Sequence, residues 1–277
     1  MLNRIGLDGR LEKSVRGEAS LASQQLEPLA AGEVGIVDRG FTGFAFLAQS
    51  RQHQLHFIAR GSTGSFLAAQ EMFRRHRAGP SRRVKLFAAA PQAELKRLGL
   101  PQSLVVRLVR VRLPTGELEV LVTSLLDEPA YPTAEFLPVD HWRWHHETYE
   151  GRLKGWLALA NGSGQSAEAG RQDFHGAVRL ANLASGLSGP AAGVVAGRRV
   201  QTQYPQPVNR AVSDHALKDR LLDWLLADPP VEAVIRELQA RFMGSPVSVR
   251  PKRRRLREKL SLACSYPFQR TVRKTVF

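Results

Sequence analysis

Apolar and polar residues in the first sixty positions form short segments that predict helices alternating with strands. Residues 17–30 place Leu21, Leu26 and Leu29 on or near one face of a helix, and Gly32 supplies a stop signal. The spacing therefore predicts a short amphipathic helix at 17–30.

Two short apolar runs follow this helix. The first, Val34-Gly-Ile-Val-Asp38, predicts a strand that ends in an acid. The second predicts a strand at 55–59, and residues 44–52 between the two runs are expected to be helical. A carboxylate at the end of a buried strand lies at the sheet edge, where sites are often built, whereas an Asp close before Gly also simply opens turns. Both interpretations of Asp38 stay open at this point.

The segment from 61 to 138 has a different pattern, in which apolar and polar residues alternate with the period of a strand. Two such runs, 104–113 and 117–124, flank the sequence Pro-Thr-Gly at 114–116. Alternation interrupted by residues that favour a turn predicts a β-hairpin.

The first strand of this predicted hairpin is basic. Arg110 and Arg112 share one face of this strand, whereas Arg107, also on the strand, need not share it. Such arginines would either contact DNA phosphates or keep an exposed sheet edge from pairing, and the pattern favours neither.

After Pro138 the pattern becomes helical, and helices are predicted at about 140–160, 166–188, 213–227 and 230–242. A basic tail at 251–277 follows, and runs of this kind often bind nucleic acid. Its candidate DNA contacts are Lys252, Arg253, Arg254, Arg255 and Arg257. Helices and strands together predict a mixed α/β fold.

The net charge of the chain limits the classes of binding partner more than the chain length does. Its 277 residues carry a net charge of +15 with a pI near 10.9, which favours a polyanionic partner: nucleic acid first, an anionic membrane surface second. No apolar run is long enough for a membrane span and no signal peptide is evident, so we expect a cytoplasmic protein. A single cysteine, Cys264, excludes an internal disulfide and a multi-cysteine zinc cluster.

One segment, Asp140 to Lys154, carries the most chemical information. If it is helical, Lys154 returns to within about 20° of Glu147, and Arg143 lies about 40° away, so one face holds a carboxylate between two cations. Such pairs are usual on solvated helix faces. A cluster of aromatic residues in the same segment favours a site instead, because an exposed helix seldom carries so many. They are Trp142, Trp144 and Tyr149, with Trp156 two residues beyond the segment.

In two segments, the strand that ends at Asp38 and the predicted helix from Asp140 to Lys154, the chain resembles the DDE transposases of the insertion-sequence-four family. That family has a strand ending in Asp-Arg-Gly-Phe or Asp-Arg-Gly-Tyr, which residues 38–41 match. It also has a helix bearing Tyr, Arg, Glu and Lys with two, three and six residues between them. Arg143, Glu147 and Lys154 match these spacings, whereas Asp140 stands where the family has Tyr.

The resemblance implies a ribonuclease H-like fold that is interrupted by a β-rich insertion and followed by a helical C-terminal part. On this basis the chain divides into four segments: 1–60 with the second acid, 61–138 as the insertion, 139–250 with the glutamate, and 251–277 as the basic tail.

The resemblance also implies a chemistry. Three carboxylates hold two divalent metal ions, Mg²⁺ or Mn²⁺, for in-line attack of water or a 3′-hydroxyl on a phosphodiester. Asp38 would be the second acid and Glu147 the third, and both would be metal ligands. Arg143 and Lys154 would hold phosphates of the DNA at insertion-sequence ends. The complete protein would act on paired ends, as a possible homo-oligomer.

The first of the three acids has no counterpart in this chain. The family places it on a strand well upstream of Asp38, and Asp8 is the sole earlier aspartate; we interpret Leu7-Asp8 as the tail of a later strand. We therefore expect an N-terminally truncated transposase with an incomplete ribonuclease H-like fold, an open sheet edge and little or no activity alone.

Two other functions remain as alternatives. In the first, the chain is a non-catalytic DNA-binding remnant whose basic surface still binds DNA. In the second, the chain is a zinc enzyme built on His141 and His145, which stand four residues apart, although Glu147 falls about 120° from His141 around the helix.

Overall fold

A computed structural model describes residues 5–11, 18–62, 64, 66–74, 79–157, 159, 166–197, 204, 206–227 and 230–249. The basic tail at 251–277, with Cys264 and its five candidate DNA contacts, lies outside the described residues. The chain forms two compact units. The first comprises Arg10–Glu147, and the second comprises Leu2–Gly9 with Thr148–Phe277.

The first unit is built on a mixed five-stranded sheet, so the mixed α/β prediction is confirmed. Its strands are β1 (Val34–Val37), β2 (His56–Arg60), β3 (Ser81–Phe87), β4 (Ser103–Arg112) and β5 (Leu118–Thr123). They lie in the order β1-β2-β5-β4-β3. β1 and β2 are parallel, and the other neighbours are antiparallel. The region expected as an insertion thus extends the same sheet from β2.

One short helix precedes these strands and three others connect them. They are α1 (Glu18–Gln24), α2 (Phe44–Gln52), α3 (Leu67–Arg74) and α4 (Gln92–Arg97), and a 3-10 turn spans Arg39–Phe41. α2 has the predicted bounds. α1 is shorter than predicted: its last turn stops four residues before Pro28, which has no amide hydrogen and disfavours helical backbone just before it. Leu26 and Leu47 pack with Phe57 in the main core on one face of the sheet.

The predicted hairpin is confirmed as β4 and β5. The amide of Leu113 donates to the carbonyl of Glu117 at 2.9 Å, and Gly116 adopts a φ of 89°, a conformation that glycine permits. β4 is an interior strand, so its arginines do not protect a sheet edge. Arg107 is buried and donates to the carbonyl of Tyr131 and the hydroxyl of Thr133, at 2.6 and 2.9 Å. It anchors a loop and has no surface left for DNA.

After β5 the chain leads into α5 (Phe136–Gly155), which carries residues of both units. In the first unit Phe136 packs with Ile58, Val109 and Leu121 on the second face of the sheet. β1 is an edge strand whose one neighbour among the described strands is β2.

The second unit is helical in its described part. It contains the C-terminal part of α5, α6 (Ala167–Gly197), α7 (Arg210–Ala227) and α8 (Val231–Gly244). α6 continues past its predicted end, through Pro190. Leu217, Leu238 and Phe242 belong to the hydrophobic core of the second unit. No helix among the described residues is both long enough and apolar enough to cross a membrane.

Residues 5–11 are not a strand, so the interpretation of Leu7-Asp8 as the tail of one is wrong. Gly6 instead exchanges two hydrogen bonds with the side chain of Asn182: its amide donates to Oδ1 and its carbonyl accepts from Nδ2, each at 2.7 Å. A side-chain amide on α6 therefore provides the pairing that a neighbouring strand would have given.

Candidate active site

The site begins at the carboxyl ends of β1 and β2. Because these strands are parallel, their ends meet at one sheet edge. Val37 of β1 pairs in register with Ala59 of β2. Asp38 and Arg60 are the next residues after this pair, so they lie side by side. Asp38 has extended backbone just before the 3-10 turn, and its side chain is half exposed.

Helix α5 brings a second set of charged side chains to this edge. Asp140, Arg143 and Glu147 recur at spacings of three and four, so they share one helical face. Asp140 and Arg143 are buried, whereas the side chain of Glu147 is 47% exposed. Burial of Phe136 with Ile58 of β2 and Leu121 of β5 packs the start of α5 against the sheet.

A single guanidinium nitrogen joins the two predicted acids. Nη1 of Arg143 lies 2.7 Å from Oε1 of Glu147 and 3.4 Å from Oδ1 of Asp38. The side chain of Arg143 is 5% exposed, and that of Asp38 is 50% exposed. Asp38 and Glu147 are 109 positions apart in sequence, yet these carboxylate oxygens lie within about 6 Å of each other, the most that the two distances allow.

The other nitrogens of Arg143 are less well bonded. Nε lies 3.8 Å from Oδ1 of Asp140, which is ion-pair range but too long for a hydrogen bond. Nε and Nη2 are buried without a hydrogen-bond partner among the described residues. The guanidinium also lies 5.4 Å from the ring centre of Trp144. A buried guanidinium with two unbonded nitrogens is unusual and calls for an explanation.

A second ionic cluster lies on the same face of the sheet. Glu119, on β5, is 3% exposed and binds two arginines. Arg60 donates to it from Nε at 2.7 Å and from Nη2, and Arg39 donates from Nη2 at 3.0 and 3.3 Å. Burial, reinforced by Arg39 and then Arg143, lowers the pKa of Arg60. Glu119 therefore stabilises two cations beside Asp38.

The donor chemistry of Asp38 and Glu147 fits a divalent cation. Mg²⁺ and Mn²⁺ prefer carboxylate oxygens, and ligands about 2.1 Å from Mg²⁺ lie about 4 Å apart when opposite each other. Both carboxylates are half exposed, so their side chains have room to rotate on the solvent side. Within the described residues, no three His, Cys, Asp or Glu side chains are grouped closely enough to hold a metal.

The remaining predicted residues have separate positions. Lys154 belongs to the second unit, where its ammonium pairs with Glu150 at 2.8 Å and its side chain stays 66% exposed. The rings of His141 and His145 meet edge to face, with 6.5 Å between their centres. The tryptophans of α5 are not buried as their number suggested: Trp142 and Trp144 are exposed.

The sequence did not reveal Arg60, Glu119 or the burial of Asp140. One signal existed for Arg60, which ends an apolar run as Asp38 does. Glu119 interrupts the apolar residues of β5 on the face that alternation assigns to Leu121 and Thr123. Its partners are not local, so their identity depends on strand order.

Comparison with models of known protein families gave no match, and comparison with curated proteins gave none either.

Proposed function

We propose that this protein is derived from a DDE transposase, with Asp38 and Glu147 as carboxylates for divalent-metal-dependent phosphodiester chemistry on DNA. The observation that carries the proposal is the shared contact of both acids with Nη1 of Arg143. Residues far apart in sequence, picked out by two motifs of that family, meet at one sheet edge.

The surrounding charge supports a phosphate substrate. Four carboxylates and three arginines are interspersed around this edge, and the whole chain carries a net charge of +15. A basic protein attracts DNA over long range, and a local acidic pair within that field suits a cation between protein and phosphate. We further propose that β1, β2 and α5 belong to a ribonuclease H-like core.

Within this proposal each side chain has one task. Asp38 and Glu147 would supply oxygen ligands to Mg²⁺ or Mn²⁺. A bound cation would lower the pKa of the attacking water or hydroxyl and neutralise charge on the phosphate. Lys154, and the basic tail residues Lys252, Arg253, Arg254, Arg255 and Arg257, would contact DNA phosphates as point charges or forks. Arg143 would do so only after leaving the two acids.

We expect the 277-residue polypeptide to have little or no strand-transfer activity by itself. The family uses three carboxylates, and Asp38 and Glu147 match two of them. The purified chain should therefore leave a DNA substrate with insertion-sequence ends unjoined in Mg²⁺ or Mn²⁺. Strand transfer that is abolished by Glu147→Gln would contradict this expectation while supporting the assignment of Glu147.

The proposal is tested by measuring DNA affinity with and without Mn²⁺ across a range of salt concentrations. Affinity should fall steeply with salt, and Mn²⁺ should increase the affinity of the unmodified protein but not that of Asp38→Asn or Glu147→Gln. Glu71→Gln is the matched control, because Glu71 is also 47% exposed and pairs with a single arginine.

The alternative is a DNA-binding remnant without catalysis, which the basic charge alone supports. It predicts the same salt dependence, but identical affinities with and without Mn²⁺ and no effect of either acid substitution. That result would reject the catalytic proposal.

A further inference from the structure

Arg143 occupies the space between the two acids that a divalent cation would need. Its Nη1 contacts Asp38 and Glu147 at 3.4 and 2.7 Å. Oxygens that bind one Mg²⁺ lie about 2.1 Å from it, so a cation shared by the same two oxygens would stand about where Nη1 now stands. Two cations cannot occupy that space together.

The contacts of Arg143 are those of a side chain with an alternative position available. Nε and Nη2 are buried and form no hydrogen bond with the described residues. A fully committed buried arginine would use these donors, as Arg107 does with four partners. Nε already faces Oδ1 of Asp140 at 3.8 Å, so a small rotation brings Arg143 into hydrogen-bond range of that carboxylate.

Asp140 is suited to receive the guanidinium. It is 3% exposed and lies one helical turn before Arg143 on α5. A buried carboxylate needs a charge partner, and a bidentate arginine pair is the strongest that the protein offers. This would also account for Asp140 in a position where the family resemblance leads one to expect Tyr.

We propose that Arg143 and the divalent cation compete for Asp38 and Glu147, and that Asp140 holds Arg143 when the cation is bound. The inference rests on the proposed function, because it assumes that these two acids form the cation site. Arg143 is then a positioning residue that keeps the acids together without metal and must leave them before metal binds.

The test is the affinity of the full chain for Mn²⁺ alone, measured by calorimetry and by electron paramagnetic resonance. Arg143→Gln should bind Mn²⁺ at least about tenfold more tightly than the unmodified protein, because the competing cation is gone. Arg39→Gln removes one positive charge nearby from a residue that contacts Glu119 instead, and it should change the affinity by less than about threefold.

The role of Asp140 is tested by a double-mutant cycle. Asp140→Asn should weaken Mn²⁺ binding several-fold when Arg143 is present, because the displaced guanidinium loses its acceptor. In the Arg143→Gln background it should have little effect. A simple loss of negative charge would weaken binding equally in both backgrounds, and that result would overturn the role of Asp140.

Circular dichroism establishes that each variant is folded, and Arg143→Lys replaces Arg143→Gln if the latter is not. Lysine keeps the charge but presents a single shorter donor group, so Mn²⁺ should still bind more tightly than to the unmodified protein. Unchanged or weaker Mn²⁺ binding in the folded Arg143 variants would overturn the competition. If no Mn²⁺ binding depends on Asp38 or Glu147 in any variant, the proposed function fails with it.

Discussion

Two buried arginines, one in each unit, show how differently the same ion pair can be used. Arg152 in the second unit donates from Nε to Oδ2 of Asp214 at 2.6 Å and from Nη2 to Oδ1, and its Nη1 donates to the hydroxyl of Ser185 at 2.8 Å. Asp214 is fully buried. Arg143 in the first unit is equally buried, but two half-exposed carboxylates share one of its nitrogens.

The two arginines differ in how many of their guanidinium nitrogens form hydrogen bonds and in how exposed their carboxylate partners are. Every nitrogen of the Arg152 guanidinium donates a hydrogen bond, and its carboxylate has no access to solvent, so this pair joins α5, α6 and α7 and leaves nothing for a ligand. The Arg143 set keeps solvent-accessible oxygens, and Nε and Nη2 of Arg143 form no hydrogen bond with any described residue. The first arrangement is typical of structural ion pairs and the second of binding sites.

The largest expected effect is that of breaking the buried pair. Asp214→Asn leaves the charge of Arg152 buried without a counter-charge, which should lower the free energy of unfolding by about 3–5 kcal/mol. Urea denaturation followed by circular dichroism measures this. Asp223→Asn on the same helix removes an exposed partner of Arg220 and should change little. Equal effects would show that Arg152 is no more structural than a surface residue.

Arg107 extends the comparison to a second structural arginine. Arg107→Met removes the donors for Ser81, Tyr131 and Thr133 and should lower the free energy of unfolding by about 2–4 kcal/mol. Arg112→Met on the same strand is the control, because Arg112 is exposed, and its effect should stay within about 0.5 kcal/mol. A small effect at position 107 would mean that its loop is not anchored there.

The Arg143 set should respond much less to loss of an acid. Glu147→Gln removes a half-exposed carboxylate, and Asp38 remains beside the guanidinium, so the free energy of unfolding should fall by at most about 1 kcal/mol. The same denaturation experiment checks it. A loss as large as that of Asp214→Asn would make Glu147 a structural residue.

The smallest effect concerns pH. Burial, and then Arg51, lower the pKa of His56, so the folded protein resists a proton that the unfolded chain accepts. The stability that neutral His56 contributes is therefore present above about pH 6.5 and decreases as the pH falls below that value. His56→Gln should reduce the loss of unfolding free energy between about pH 7.5 and pH 5.5. An unchanged loss would assign it to other groups.

The sequence predicted what depends on local pattern. The bounds of α2, the hairpin with its turn at Gly116, and the strands that flank Asp38 follow from periodicity and turn residues. The family resemblance singled out Asp38 and Glu147, and both contact Nη1 of Arg143; their role as metal ligands stays a prediction. Neither the sequence pattern nor the family resemblance predicted the contact of Glu119 with Arg60 or the burial of Arg107. These depend on the order of strands in the sheet and on a loop folded over it.

A Mn²⁺ titration of the full chain and three variants tests the proposed cation site most directly. We predict one specific Mn²⁺ site in the unmodified protein. It should be lost in Asp38→Asn and in Glu147→Gln and retained in Glu71→Gln, because the carboxylate of Glu71 is as exposed as that of Glu147 and is likewise paired with arginine. Mn²⁺ binding that survives both substitutions, or that is equally weak in all four proteins, would contradict a cation site at Asp38 and Glu147.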